Sequence, residues 1–239
     1  MPHSLWLTEI PDLISLEHAE TPNGLSLKLC LREPIPELFL AAKHLDDAVS
    51  AHLLNDPDLT EQFIRKADLQ AIRDWSESLW GKASQYNQPR TIENLPLSSL
   101  KAQRRMPSPS EKMLLHLRDG HHCRFCGIPV IRQEIRKLLT TLYPHSAHWG
   151  ASNASRHPTL HAMQAQYDHL LPHSRGGTND LDNLVITCSP CNYGRGHYTL
   201  EEMGLSDPRL RVPIRTSWDG LERILTNQER PHHPSPTFA

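Results

Sequence analysis

The sequence predicts an α+β protein, in which a mostly helical N-terminal region precedes a smaller module of two strands and a helix. Three observations lead to this prediction. Apolar residues recur at helical spacing over residues 36–80. Two C-x-x-C pairs occur further along, at residues 123–126 and 188–191. The second pair lies in a stretch, residues 167–196, whose pattern is strand, glycine-rich loop, strand and helix.

The first part of the chain, residues 1–100, is predicted to be a mainly helical accessory region. Residues 37–54 and the run from Thr60 to Trp80 both have the apolar spacing of amphipathic helices, with Thr60 as the expected N-cap of the second. We expect these helices to pack on Trp75 and Trp80. No residue pattern here indicates catalysis, so the sequence leaves the role of this region open.

A linker is predicted at residues 83–109, which are rich in Ser, Gln, Asn and Pro. Ser110 is then expected to cap a helix that ends at Gly120. This helix leads directly to the first cysteine pair. The predicted division of the chain is an accessory region, a strand-and-helix module and an extension with a flexible tail, at residues 1–100, 108–205 and 206–239.

Charge is distributed unevenly, although the net charge is only -2. Residues 101–200 contain 12 Lys and Arg against 6 Asp and Glu, whereas residues 1–100 contain 8 against 15. A basic centre favours a polyanionic partner such as nucleic acid, with solvated helix faces as the alternative explanation. The basic residues between the two cysteine pairs are candidates for such a surface: Arg132, Arg136, Lys137 and Arg156.

The chain has no run of about 18 apolar residues, the length that a membrane span needs. Its N-terminus lacks the basic-then-apolar pattern of a secretion signal. A cytoplasmic location is therefore expected. Paired cysteines in a reducing compartment are more readily metal ligands than disulfides. Cys30, the fifth cysteine, stands alone and is expected to be a buried small apolar residue.

The four paired cysteines predict one structural Zn²⁺ site, formed by Cys123, Cys126, Cys188 and Cys191. A closed shell of thiolates leaves no position for a substrate, so this ion is expected to hold the fold together. The 61 residues between the pairs exceed the usual gap of about 15–20. They should therefore carry structure of their own. Free thiols or a thiol redox protein are the alternatives.

The stretch from Tyr167 to Gly196 contains a further set of residues: Asp168, His169, Pro172, Gly176, Gly177, Asn183, Leu184, Cys188, Cys191, Asn192 and Arg195. Their order and spacing resemble the HNH endonuclease family, whose ββα-metal motif runs D-H-x-x-P, G-G, N-L, C-x-x-C-N-x-x-K/R. The resemblance covers residues 120–205. It implies a zinc-stapled ββα-metal nuclease domain that hydrolyses phosphodiester bonds.

The resemblance also implies a role for individual residues. His169 is expected to be the general base, because a neutral imidazole can take a proton from the attacking water at neutral pH. Asn183 is expected to orient the His169 ring. Asp168 and Asn192 are expected to hold a catalytic divalent cation, Mg²⁺ or Mn²⁺, through hard oxygen atoms.

Two features bear on this cation site. Adjacent residues of a regular strand point to opposite faces, so the strand must bend or end near Asp168 and His169 if both serve one site. Some family members place a second histidine four residues after the helical metal ligand, and here that position is Gly196. The expected metal shell therefore consists of Asp168, Asn192, phosphate oxygens and water.

The predicted function is that of a metal-dependent endonuclease with nucleic acid, expected to be DNA, as its partner. Arg175 and Arg195 are expected to contact phosphates, with an ordinary surface position as the alternative for each. One active site per chain cuts one strand, so a double-strand break requires a homodimer or two sequential cuts. The alternative function is a non-catalytic, zinc-stabilised nucleic-acid-binding protein.

Overall fold

A computed structural model describes residues 19–20, 26–87 and 104–227. The strands and helices of these ranges are β1 (Ala19–Glu20), β2 (Ser26–Leu27), α1 (Pro36–Leu53), α2 (Pro57–Lys66), α3 (Gln70–Trp80), α4 (Pro109–Asp119), α5 (Gln133–Leu142), α6 (Pro158–Ala162), β3 (Ala165–His169), β4 (Leu184–Cys188) and α7 (Ser189–Arg195). The α+β prediction is confirmed. Most of the predicted linker, residues 88–103, and the end of the predicted C-terminal extension with its tail, residues 228–239, lie outside the described residues.

The N-terminal helical prediction is confirmed, but its second run forms two helices, α2 and α3, with a break at residues 67–69. Thr60 is not the N-cap. Asp56 has that role, because its Oδ1 accepts from the Leu59 backbone N–H at 3.0 Å. The Thr60 hydroxyl instead donates to the Asp56 carbonyl at 2.7 Å from within the first turn. Pro57 at the start of α2 has the backbone angle that a first helical residue requires.

Helix α4 begins two residues earlier than predicted, because Ser108 and not Ser110 is the cap. The Glu111 backbone N–H donates to Ser108 Oγ at 3.2 Å, and the Glu111 side chain accepts from the Ser108 backbone N–H. This reciprocal capping box is closed around Pro109, the first helical residue. The helix ends at Gly120, whose φ of 74° favours glycine.

Strands β3 and β4 form an antiparallel hairpin in which Asp168 pairs with Val185 and His169 with Leu184. Helix α7 follows β4 without a loop. Helix α3, from the N-terminal region, packs on both α6 and α7. The HNH-like segment is therefore covered on one side by a helix from the accessory region.

The buried hydrophobic residues form one continuous core that includes side chains from every part of the predicted division. Leu38 and Ile72 of the helical region, Ile186 of β4 and Ile224 near the C-terminus all belong to it and are fully buried. The three predicted segments thus share an interior. Among the helices of the described ranges, none combines the length and the apolar character required to cross a bilayer.

Candidate active site and metal centre

The four paired cysteines lie together in the interior. Their sulfur atoms are all within 4.8 Å of one another, and the Cys126 and Cys188 Sγ atoms are 3.7 Å apart. Four thiolates arranged tetrahedrally at about 2.3 Å from a Zn²⁺ ion would have sulfur atoms about 3.8 Å apart, so the cluster fits this ion. All four are free thiols. In the described part of the chain, this is the one group of three or more His, Cys, Asp or Glu residues that could hold a metal ion.

The long gap between the cysteine pairs does not disturb the cluster, because the two ends of the intervening segment are hydrogen-bonded to each other. The Ile131 backbone N–H donates to the Met163 carbonyl at 2.9 Å, and the Ala165 N–H donates to the Ile131 carbonyl at 2.8 Å. Residues 132–163 therefore form an insertion whose two ends lie side by side next to the start of β3. The cysteine turn itself is tied to β4, since the Arg124 N–H donates to the Ile186 carbonyl at 2.8 Å.

Two arginines lie beside the cysteine turn and connect it to the C-terminal extension. Arg211 donates to the Phe125 carbonyl at 3.3 Å and to the Arg124 carbonyl at 2.6 Å. Arg124 in turn donates to the carbonyls of Pro208 and Arg211. Four thiolates around one divalent cation carry a net charge of -2, so these two guanidinium groups, one buried and one half-buried, offset the charge of a loaded site.

His169 is the last residue of β3, where the strand ends as the sequence argument required. Its Nε2 is 2.8 Å from Asn179 Oδ1, and Asn179 Nδ2 donates to the Arg104 carbonyl. Because a carbonyl only accepts, this second bond orients the Asn179 amide with its oxygen toward His169. The imidazole therefore carries its proton on Nε2 and leaves the Nδ1 lone pair free to act as a base.

Burial lowers the pKa of His169 below its ordinary value, while the hydrogen bond that its ring donates to Asn179 and the charge of the Asp168 carboxylate oppose that effect. The imidazole is therefore neutral at pH 7, the state that a general base needs. The His173 ring lies next to it, with ring centroids 5.6 Å apart.

The residue that contacts the His169 ring is Asn179, whereas the prediction named Asn183. Asn183 instead holds the glycine-rich loop closed. Its Oδ1 accepts from the Leu171 N–H at 2.8 Å, and its Nδ2 donates to the Thr178 carbonyl at 2.9 Å. A side chain at Gly177 would collide with the Leu171 carbonyl, at 1.8 Å, so the loop requires glycine there.

The Asp168 carboxylate lies against Arg195 of α7. The residue is 5% exposed, and both carboxylate oxygens accept hydrogen bonds from Arg195, one of them at 2.9 Å. Burial raises the pKa of Asp168, and the Arg195 guanidinium opposes this effect. The carboxylate predicted as a cation ligand is thus also half of a buried ion pair.

Neither arginine predicted to contact phosphate is free at the surface. Arg195 is 1% exposed and, besides Asp168, donates to the Tyr198 and His169 carbonyls at 2.5 and 2.6 Å. It is a structural residue of the interior, which corrects the surface expectation. Arg175 forms an ion pair with Glu202, and its side chain is only 10% exposed. Each arginine and its acidic partner, Asp168 or Glu202, are 27 residues apart in the chain. Spacing patterns, which relate residues close in sequence, could not reveal these pairs.

A hairpin and helix joined at a four-cysteine cluster, with a histidine at the end of the first strand, have the arrangement of the ββα-metal motif that the sequence resembles. Residues 159–206 match a family model described as HNH endonuclease. No curated protein and no solved structure matches the chain significantly.

If this site has the nuclease activity that the family match suggests, replacing Asn179 with alanine is expected to lower the cleavage rate, because the His169 ring loses its only Nε2 partner within the described residues and with it a fixed tautomer. We expect a decrease of about 10- to 100-fold, the effect typical of removing a group that orients a catalytic histidine or metal ligand. Initial rates of plasmid nicking measure it. Thr178→Ala is the matched control, since among the described residues the Thr178 hydroxyl bonds only to Asp180 in the same loop. Equal rates for Asn179→Ala and wild type would contradict the orienting role.

Proposed function

We propose that this protein is a metal-dependent HNH endonuclease that hydrolyses phosphodiester bonds, with DNA as its substrate. The observation that carries the proposal is the arrangement around His169. Its Nε2 is held by Asn179, and its Nδ1 remains as an acceptor on a neutral ring. The family match over residues 159–206 supports the same class of activity.

In the proposed reaction, His169 Nδ1 takes a proton from the water that attacks the phosphorus atom. The new P–O bond forms as the bond to the leaving 3′ oxygen breaks, and that oxygen leaves with the electron pair. As the imidazole becomes positive, its Nε2–H donates more strongly to Asn179 Oδ1. The Arg104 carbonyl keeps the amide in place during this change.

The catalytic cation, Mg²⁺ or Mn²⁺, would be held by Asp168 and Asn192. Their donor atoms fit, because both offer hard oxygens. A carboxylate has about four lone-pair sites, so the two bonds from Arg195 leave acceptor capacity on Asp168. Within the described ranges, the Asn192 side chain makes no hydrogen bond that would occupy its oxygen. When bound, such an ion stabilises the negative charge that develops on the phosphate oxygens.

The ion proposed for the four cysteines is Zn²⁺, in a purely structural role. This site is closed and fully buried, whereas the catalytic site must admit a nucleic acid strand. The proposal places one active site, at His169, in each chain, so each copy is proposed to cut one strand at a time. A double-strand break then needs a homodimer or two successive cuts.

A non-catalytic, zinc-stabilised nucleic-acid-binding protein is the second candidate, and one observation favours it. The Asp168 carboxylate lies in the interior with both oxygens bonded to Arg195, an arrangement that also serves a purely structural purpose. The two candidates share the cysteine cluster and the basic central part of the chain. They differ in whether nucleic acid is cut.

Plasmid nicking separates the two candidates. Supercoiled plasmid is incubated with the full-length protein and Mg²⁺ or Mn²⁺, and the products are resolved on an agarose gel with an EDTA control. The endonuclease produces open-circular plasmid with a cation present and none with EDTA. Retarded but uncut plasmid under all conditions would refute the endonuclease and support the binding protein.

A further inference from the structure

The face of α3 that lies against residues 149–161 has an unusual charge environment. Three arginines surround the buried His161: Arg73 from α3, Arg136 from α5 and Arg156. Burial and the charges of these arginines lower the pKa of His161 to about 4. The imidazole is therefore neutral, and its Nε2 is 3.3 Å from Arg156 Nη1, which donates to it. This region brings together three positive charges from segments far apart in the chain: Arg73 and Arg156 are partly exposed, and Arg136 is buried.

In the described part of the chain, none of these three arginines forms an ion pair with a carboxylate, although several other arginines do: Arg65, Arg132, Arg175, Arg195 and Arg223. Arg73 donates to the carbonyls of Asn153 and Arg156 at 2.7 and 2.9 Å. Glu77, which lines the same groove, accepts from the Trp80 indole N–H at 3.2 Å. Arg156 likewise donates to the Gly150 and Ala151 carbonyls, each at 3.3 Å. The charges of these two partly exposed arginines are thus held in place by carbonyl groups and are available to an anion.

Aromatic rings connect this arginine cluster to α7. The Trp80 ring lies 4.7 Å from the His161 ring and 5.7 Å from the Tyr193 ring, measured between centroids. Trp149 lies beyond His161 at 5.5 Å. Tyr193 is 52% exposed and directly follows Asn192, the proposed cation ligand. The rings therefore extend from the proposed cleavage site toward the arginines.

The position of Trp80 differs from that of a tryptophan used only for packing. Trp75, on the same helix, is 2% exposed, and its indole N–H donates to the Glu33 carbonyl in the interior. Trp80 is partly exposed and lines a groove together with Arg73. One helix therefore directs one tryptophan into the core and the other toward the surface that carries the charges.

We propose that this face binds a single-stranded segment of the DNA substrate beside the cut, with phosphates at Arg73 and Arg156 and bases against Trp80 and Tyr193. The proposal rests on the endonuclease function proposed above. Positive side chains interleaved with aromatic rings are the arrangement by which proteins hold single strands, because the charges follow the backbone and every base can stack. The proposal gives the accessory region a role in substrate binding, because α3 belongs to that region.

The test is the binding of a fluorescein-labelled single-stranded oligonucleotide to the full-length protein without added divalent cation, followed by anisotropy at several salt concentrations. Arg73→Gln is expected to weaken binding and to reduce the slope of log K against log salt by about 0.7, the value for one lost phosphate contact on a single strand. Tyr193→Ala is expected to weaken binding by about fivefold or more, and Tyr193→Phe to restore it. Arg65→Gln, which removes a surface arginine of α2, should leave both quantities unchanged.

Wild-type affinity and salt slope in both Arg73→Gln and Tyr193→Ala would overturn the strand-binding face. If circular dichroism shows that Arg73→Gln does not fold, the binding of Tyr193→Ala decides whether the strand-binding face exists. Tyr193 is half exposed, so its replacement should leave the fold intact. If wild-type protein nicks plasmid while the variants bind normally, only this inference fails. If wild-type protein neither binds nor nicks DNA, the proposed function fails, and the inference fails with it.

Discussion

Replacing His169 with alanine is expected to reduce plasmid nicking by about 10²- to 10⁴-fold, the contribution usual for a general base. The loss follows from the removal of the Nδ1 acceptor, which the bond between Nε2 and Asn179 leaves free in the wild-type protein. The rate is measured from the conversion of supercoiled to open-circular plasmid. Zinc content and circular dichroism should match those of wild type, because His169 lies outside the cysteine cluster.

His173→Ala is the matched control for this variant. The edge of one ring faces the other, with centroids 5.6 Å apart, and Asn179 holds His169 through its Nε2. We expect His173→Ala to keep most of the nicking activity. A His169→Ala protein that nicks at the wild-type rate would contradict the assignment of the base. Loss of activity in His173→Ala alone would transfer that role to the neighbouring ring.

Removal of the metal from the four-cysteine cluster is expected to unfold the protein at 25 °C. Binding of a structural zinc ion contributes about 10–16 kcal/mol in zinc-finger peptides. The total unfolding free energy of a domain is about 5–15 kcal/mol, so loss of the ion removes an amount comparable to the whole stability of the fold. The Cys188→Ser variant should therefore lose bound zinc and the cooperative thermal transition. Elemental analysis and thermal denaturation followed by circular dichroism measure both.

Cys30→Ser is the matched control, since Cys30 is the one cysteine outside the cluster. Its thiol is buried and lies 3.5 Å from Glu33 Oε1. Burial raises the pKa of this thiol, which accords with a protonated side chain. Cys30→Ser should retain one zinc ion per chain. A wild-type protein without zinc, or a Cys188→Ser variant that melts like wild type, would contradict the structural zinc site and leave the redox alternative open.

Asn179 and Asn183, the two asparagines of the loop, show most clearly what the sequence does not reveal. Both occur in the segment after the glycine pair, and the sequence contains no signal that distinguishes their roles. Asn179 is selected as the partner of His169 because its amide nitrogen reaches the Arg104 carbonyl, 75 residues away in the chain. A contact over such a distance has no periodicity or spacing from which it could be inferred.

The buried arginine illustrates the same limit. Arg195 follows Asn192 in the motif, and its residue type is equally suited to a phosphate or a carboxylate. The pairing in β3 and the docking of α7 place Asp168 against it and enclose both side chains. The sequence determines that Arg195 is a hydrogen-bond donor, whereas the packing of β3 against α7 determines that Asp168 is its acceptor.

By itself, the sequence determined the helical accessory region, the hairpin with its helix and the identity of the four clustered cysteines. These features depend on residues close together in the chain, through hydrophobic periodicity, turn chemistry and the short spacing within each cysteine pair. Only the tertiary structure decided which side chains contact His169 and Asp168, and that α3 lies beside α7. Such contacts join segments that are distant in the chain, and their geometry exists only once the shared core has formed.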